Sequence, residues 1–132
     1  LLGLALGLSR KELGLDALVE VHDEAEVALA AEAGAVLVGI NSRDLDTFRT
    51  DLAVVERLAA RLAPGQTAVA ESGIRSVADL VRLRAAGIHN FLIGEQLMAS
   101  PDPGAALGRL LSDFARFSGH LAEPAPSGNR IR

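Results

Sequence analysis

The polar residues that could do chemistry sit inside or just after short apolar runs. Glu20 lies between Val19 and Val21. A carboxylate in such a run is partly desolvated, which raises its pKa and suits proton transfer near neutral pH. The same position equally fits a rim glutamate paired with a cation such as Arg43. Asn41 and Arg43 follow a second run directly. Asn offers a donor and an acceptor to a substrate hydroxyl or carbonyl. Arg offers a planar fork to a carboxylate or phosphate. A turn role for Asn41 and a surface pair between Arg43 and Asp44 remain open beside these. Glu71-Ser72-Gly73 and Gly94-Glu95 follow two further runs. Glycine lets backbone approach an anion closely, and a following helix presents free N–H groups. One such turn is commonplace; two in adjacent units point more specifically to a phosphate site.

Other chemistry is poorly served. The chain has no Cys, which excludes disulfides, thiolate nucleophiles and cysteine-held metals. His22, His89 and His120 lack metal-ligand spacing, so no metal is expected. Ser72 has no evident His partner for a hydrolase triad. Lys11 is the one lysine, placed before the first apolar run, on the rim away from the other candidates. Net charge is −4 without a basic run, which argues against nucleic acid but not against a small anion. The apolar opening Leu1–Leu8 lacks the basic start and cleavage site of a signal peptide and is too short to span a membrane. It reads as the end of a helix whose beginning lies outside the sequence, as in a fragment. A cytoplasmic protein is the default expectation.

The elements that must position these residues follow from periodicity. Ala17–Val21, Ala35–Ile40, Thr67–Ala70 and Asn90–Ile93 are continuous apolar runs suited to parallel strands. Helical spacing fills Asp23–Ala33, Leu52–Leu62, Ser76–Ala86 and Pro103–Phe117. Acidic residues open the first, Ser76 is a fitting N-cap with Asp79 three residues on, and Pro103 suits a first turn. Gly34 and Gly87 close two of them. With 49% hydrophobic and 3% aromatic residues, the core must be aliphatic. Strand–helix alternation predicts an α/β fold with a parallel sheet. Either an open doubly wound sheet or half of an eight-unit barrel fits, a full barrel needing about 250 residues. In both, active sites collect at the C-terminal ends of the strands. Residues 1–117 form the predicted domain; 118–132, rich in Pro, Gly and Ser, read as a disordered tail.

Four segments carry a resemblance: L-V-E-V-H, V-G-I-N-S-R-D-L-x-T-F, A-E-S-G-I and F-L-I-G-E-x-L-M. In order and spacing they resemble the second half of indole-3-glycerol phosphate synthase, from Leu1 to Leu111. The resemblance implies a TIM-type (β/α)8 barrel, with this chain holding the end of helix four and strands five to eight, the C-terminal (β/α)4 half. It implies a lyase of tryptophan biosynthesis. That enzyme closes the ring of 1-(2-carboxyphenylamino)-1-deoxyribulose 5-phosphate with loss of carbon dioxide and water, using no metal or organic cofactor. Glu20 then matches an acid/base and charge-stabilising glutamate. Asn41 matches the asparagine that holds the substrate, and Arg43 an anion-contacting arginine. Glu71 matches a glutamate that contacts substrate and orients a catalytic lysine. Ser72, Gly73, Gly94 and Glu95 match substrate- and phosphate-binding loops. Some family members have Ser at the position of Glu95; a carboxylate beside phosphate is unfavourable, so its backbone N–H is expected to make that contact.

The family's essential lysines lie on early strands that have no counterpart in this sequence, so the chain alone is expected to be inactive. A half barrel also exposes two strand edges and an interior face, predicting either a missing N-terminal half barrel as partner or self-association. Phosphoribosylanthranilate isomerase, another phosphate-binding barrel enzyme, is a poorer fit because it expects a catalytic Cys. A non-catalytic phosphate-binding half barrel is the alternative from outside the enzymes.

Overall fold

In the computed structural model, residues 1–44 and 46–118 are described. Beyond Ser118 the expected tail, His120 included, lies outside the described residues, as does Leu45.

The chain opens with α1 (Leu2–Gly7), which continues into a wider π-helical turn at Leu8–Glu12. Leu6 is buried and the neighbouring leucines are exposed. Strands and helices then alternate: β1 (Leu18–Val21), α2 (Glu24–Glu32), β2 (Leu37–Ile40), α3 (Leu52–Ala59), β3 (Thr67–Ala70), α4 (Val77–Ala85), β4 (Asn90–Phe91), α5 (Glu95–Met98) and α6 (Pro103–Ser118).

The helix starts are locally encoded. Asp23 accepts the Glu26 N–H at 2.8 Å, and Asp51 accepts that of Ala53 at 2.9 Å. Ser76 and Asp79 form a reciprocal capping box, as their spacing predicted. Two boundaries differ from expectation. Helix α3 stops at Ala59 rather than Leu62, its last turn tightening before Pro64. The short α5 follows Gly94 directly, where no helix range is expected. Four residues are too few for any periodic signal to show.

All four strands are parallel and ordered β1-β2-β3-β4. A doubly wound sheet reverses its order at a switch point; this one does not. Right-handed crossovers between successive neighbours place each connecting helix on the same face. Val21, Val38, Ile40 and Ala70 point into that face and join Val27, Val55, Leu58, Leu80 and Leu83 in one aliphatic core. Phe114 of α6 meets Phe91 edge-on, with ring centroids 6.2 Å apart, and Arg84 lies over the Phe114 ring. The alternate residues, among them Leu18, Glu20 and Gly39, look out from the other face, which no described helix covers. The architecture is an α/β half barrel.

Packing predicts unequal costs for two leucines. Leu83→Ala removes a fully buried side chain and should destabilise by about 3 kcal/mol. Leu111→Ala, on the exposed side of α6, should change stability by less than about 0.5 kcal/mol. Urea titrations of both variants test this, and equal midpoints would contradict the core assignment.

Candidate functional site

Parallel register places Glu20 beside Gly39, and Gly39 beside Val69, two residues before Glu71. The missing side chain of Gly39 matters here. A Cβ at that position would stand 2.6 Å from the Glu71 carboxyl carbon. Glu71 therefore lies across the empty place on β2 and reaches Glu20 on β1. The two carboxyl groups stand close enough for each to shift the other's pKa.

Their environments differ. Glu20 Oε1 receives the Asn41 Nδ2–H at 3.1 Å and lies 3.2 Å from His22 Nε2. Its pKa is lowered, first by the Asn41 hydrogen bond and further by Glu71 and His22, against opposing desolvation. This corrects the expectation that burial raises the Glu20 pKa. The strand run is apolar, but Glu20 points to the open face and finds donors there. The raised carboxyl is Glu71, pushed up to about 7 by desolvation and then by the adjoining Glu20. Below about pH 7 the pair thus holds one proton, mostly on Glu71, and gives it up as pH rises through that value.

Asn41 links the strands. Its Oδ1 accepts the Arg43 N–H at 3.1 Å and the Ser72 hydroxyl at 2.7 Å. The buried Ser42 hydroxyl donates to the Ser72 carbonyl at 3.1 Å. Asn41 is therefore a turn residue and a bridge between carboxylate and loop at once. Arg43 pairs with neither Glu20 nor Asp44; its guanidinium meets the Glu95 carboxylate. Asp44 instead closes its own turn, accepting the N–H groups of Asp46 and Thr47 at 2.9 and 2.7 Å. Glu95 starts α5 beside Gly94, and its side chain faces the arginine rather than turning away from an anion site.

Gly73 has φ +84°, and a Cβ there would crowd Thr50, Leu52 and Ser42. It holds the β3–α4 loop against the loop after β2. Arg43, Glu71, Ser72, Gly73, Gly94 and Glu95 all border one cavity of about 460 Å³, along with Thr50 and Arg75. Glu20 and Asn41 stand at its side and reach it through Glu71 and Ser72. The expected residues therefore converge on one rim. Lys11 lies in the π-helical turn before β1, at the opposite end of the strands.

Sequence reasoning missed three contributors. A lone glycine in the apolar run V-L-V-G-I signals a close approach, and Gly39 carried that signal. Arg75 follows E-S-G-I and adds a second guanidinium to the cavity. His22 was set aside because it lacks metal spacing, yet it abuts Glu20.

With this geometry in view, the comparisons with known proteins are decisive. The family model described as indole-3-glycerol phosphate synthase matches residues 4–110. The chain belongs to the indole-3-glycerol phosphate synthase family. A synthase of Syntrophobacter fumaroxidans is 54% identical over 115 residues, covering 87% of this chain and 43% of that relative. One from Desulfosudis oleivorans is 53% identical over 107 residues, covering 81% and 40%. The chain thus spans about two fifths of the length of the curated synthases it matches. Among solved structures, mandelate oxidase with (S)-2-phenylpropionate aligns at 22% identity with a TM-score of 0.65, over 91% of this chain and 39% of that one. The Amycolatopsis orientalis BexX/CysO complex aligns at 18% identity with a TM-score of 0.59, over 89% and 50%. At such identities the likeness is one of fold.

The raised Glu71 pKa has a consequence for stability. The folded chain keeps this proton to higher pH than the unfolded chain, whose carboxyl titrates near 4.5. The contribution of Glu71 to stability is therefore fully present below pH 4.5 and is lost as pH rises through about 7. Screening at this open site limits the loss to about 1 kcal/mol. Glu71→Gln should flatten the pH dependence in that window. Gly39→Ala, which displaces the carboxyl from Glu20, should flatten it as well. Denaturant midpoints between pH 4 and 8 provide the check, and an unflattened curve in both variants would refute the pairing.

Proposed function

We propose that this chain supplies the strand-five-to-eight side of an indole-3-glycerol phosphate synthase active site. The observation that carries this reading is the linked set Glu71, Glu20, Asn41 and Ser72 beside a cavity bordered by Arg43 and Arg75. The substrate is 1-(2-carboxyphenylamino)-1-deoxyribulose 5-phosphate.

Ring closure joins the aromatic carbon that bears the carboxylate to the ribulose carbonyl carbon. Carbon dioxide leaves, and the former carbonyl oxygen departs as water. A proton must reach that oxygen as the ring closes and again as it leaves, and a base must take one from the adjoining CH₂. Glu71 keeps a proton near neutrality and suits donation; ionised Glu20 suits acceptance and stabilises developing positive charge. Asn41 holds a substrate hydroxyl. Arg43 takes a phosphate or carboxylate once Glu95 yields it, with Ser72, Gly73 and Gly94 shaping the loop around the anion. These 132 residues bring no lysine to this rim. In this reading the cationic acid comes from a complementary (β/α)4 half, whose strands pair with the free edges of β1 and β4.

Three outcomes are expected. The 132-residue chain should bind the substrate in calorimetry without turning it over, and Arg43→Ala should weaken binding about tenfold, the loss of one charge-assisted contact. Adding strands one to four of the Syntrophobacter fumaroxidans synthase in trans should restore turnover. Turnover by the chain alone would contradict the division of labour, and absent binding would sink the synthase reading. Binding with no rescue would favour a non-catalytic phosphate-binding half barrel.

The bare sheet face and the two free edges should also drive self-association when no complementary half is present. Light scattering coupled to sizing should show a dimer or larger species. A monodisperse monomer would mean the open face is tolerated in water.

A further inference from the structure

We propose that His22 is a positioning residue for the carboxyl pair: anchored on Glu26, it directs Nε2 at Glu20 and so leaves the charge on Glu20 and the shared proton on Glu71. The inference deepens the synthase reading and rests on it for its catalytic meaning. His22 follows β1 directly. Its backbone N–H donates to Glu26 Oε2 at 2.6 Å, and Nδ1 lies 3.3 Å from the same oxygen. Glu26 is itself fixed, because its N–H caps onto Asp23. The ring is thus pinned where β1 passes into α2.

Its other nitrogen is the revealing atom. Nε2 is shielded from solvent and lacks an aligned hydrogen-bond partner, yet stands 3.2 Å from Glu20 Oε1. Each ring nitrogen therefore faces a carboxylate oxygen. Glu20 Oε1 already receives Asn41 Nδ2. Glu20 thus has the Asn41 amide from the loop after β2 and the His22 ring from the end of β1 set against it. Among the described residues, Glu71 has no donor of its own and meets Glu20 across Gly39. The guanidinium of Arg43 is engaged by Glu95. The asymmetry of the pair follows first from the desolvation of Glu71 and then from the groups set against Glu20, where His22 adds to the Asn41 hydrogen bond.

Carboxyl-carbon NMR of the full chain, with glutamates labelled, reads the division directly. Across the upper titration step, Glu71 should carry most of the shift change in the wild type. In His22→Phe the share carried by Glu20 should at least double. His22→Gln, which keeps a donor at a similar reach, should hold the wild-type division. Glu26→Ala, which frees the ring, should move it the way His22→Phe does, and it carries the test if the phenylalanine variant fails to fold. An unchanged division in His22→Phe or in Glu26→Ala overturns the proposal, as does a His22→Gln titration matching His22→Phe. The readout involves no substrate, so failure of the synthase reading in the binding assay would be a separate result.

Discussion

Parallel pairing in sequential order is the constraint from which everything else in this chain follows. Four strands running the same way, each beside its predecessor, force every crossover helix to the same face and every strand end to the same rim. The helix face becomes the core, filled by the aliphatic residues that dominate the composition. The other face is left to the polar minority. Glu20 can be charged within an apolar strand because its alternate neighbours, not Glu20 itself, point at the helices. Had any strand run antiparallel, its polar end would have gone to the far rim with Lys11.

Within that frame, one missing side chain does most of the positioning. Glu20 and Glu71 belong to strands that are not neighbours, and β2 stands between them. Any side chain at position 39 would keep them apart. Gly39 lets Glu71 cross the intervening strand, so two carboxyl groups come together and ionise in separate steps. Desolvation of Glu71 and the Asn41 hydrogen bond to Glu20 then decide which one keeps the charge. The site's proton chemistry thus comes from backbone register and a glycine as much as from the glutamates.

The elements were legible because they rest on local rules. Ser76 and Asp79 announce a capping box three residues apart, and Asp23 announces a helix start; both formed as read. Apolar runs located all four strands to within two residues. The rim residues were legible for a similar reason, since each follows its strand directly. The electrostatics were not. Burial of Glu20 was inferred from its flanking valines, but the face a strand residue occupies depends on which side the helices cover. That is settled by crossovers spread along the chain. The Arg43–Glu95 pair, fifty-two positions apart, and the contact of Glu71 with Glu20 are likewise tertiary facts. Gly39 was readable in principle as a glycine inside a strand, but what it makes room for lies thirty-two residues away.

The same geometry supports the proposal that this half barrel forms one side of a site. The described rim groups are carboxyls, amide and hydroxyl groups, an imidazole and guanidinium forks, with no lysine, and Arg43 is already paired with Glu95. A carboxyl pair holding one proton can exchange it but cannot by itself stabilise negative charge on a carbonyl oxygen; that needs a cation aimed at the oxygen from across the substrate. The uncovered face looks toward where such a group would stand. The bare sheet and the incomplete electrostatics therefore have one origin. The surface that lacks an apolar cover is also the surface whose carboxylates lack a facing cation, and a second set of four parallel strands would satisfy both needs at once.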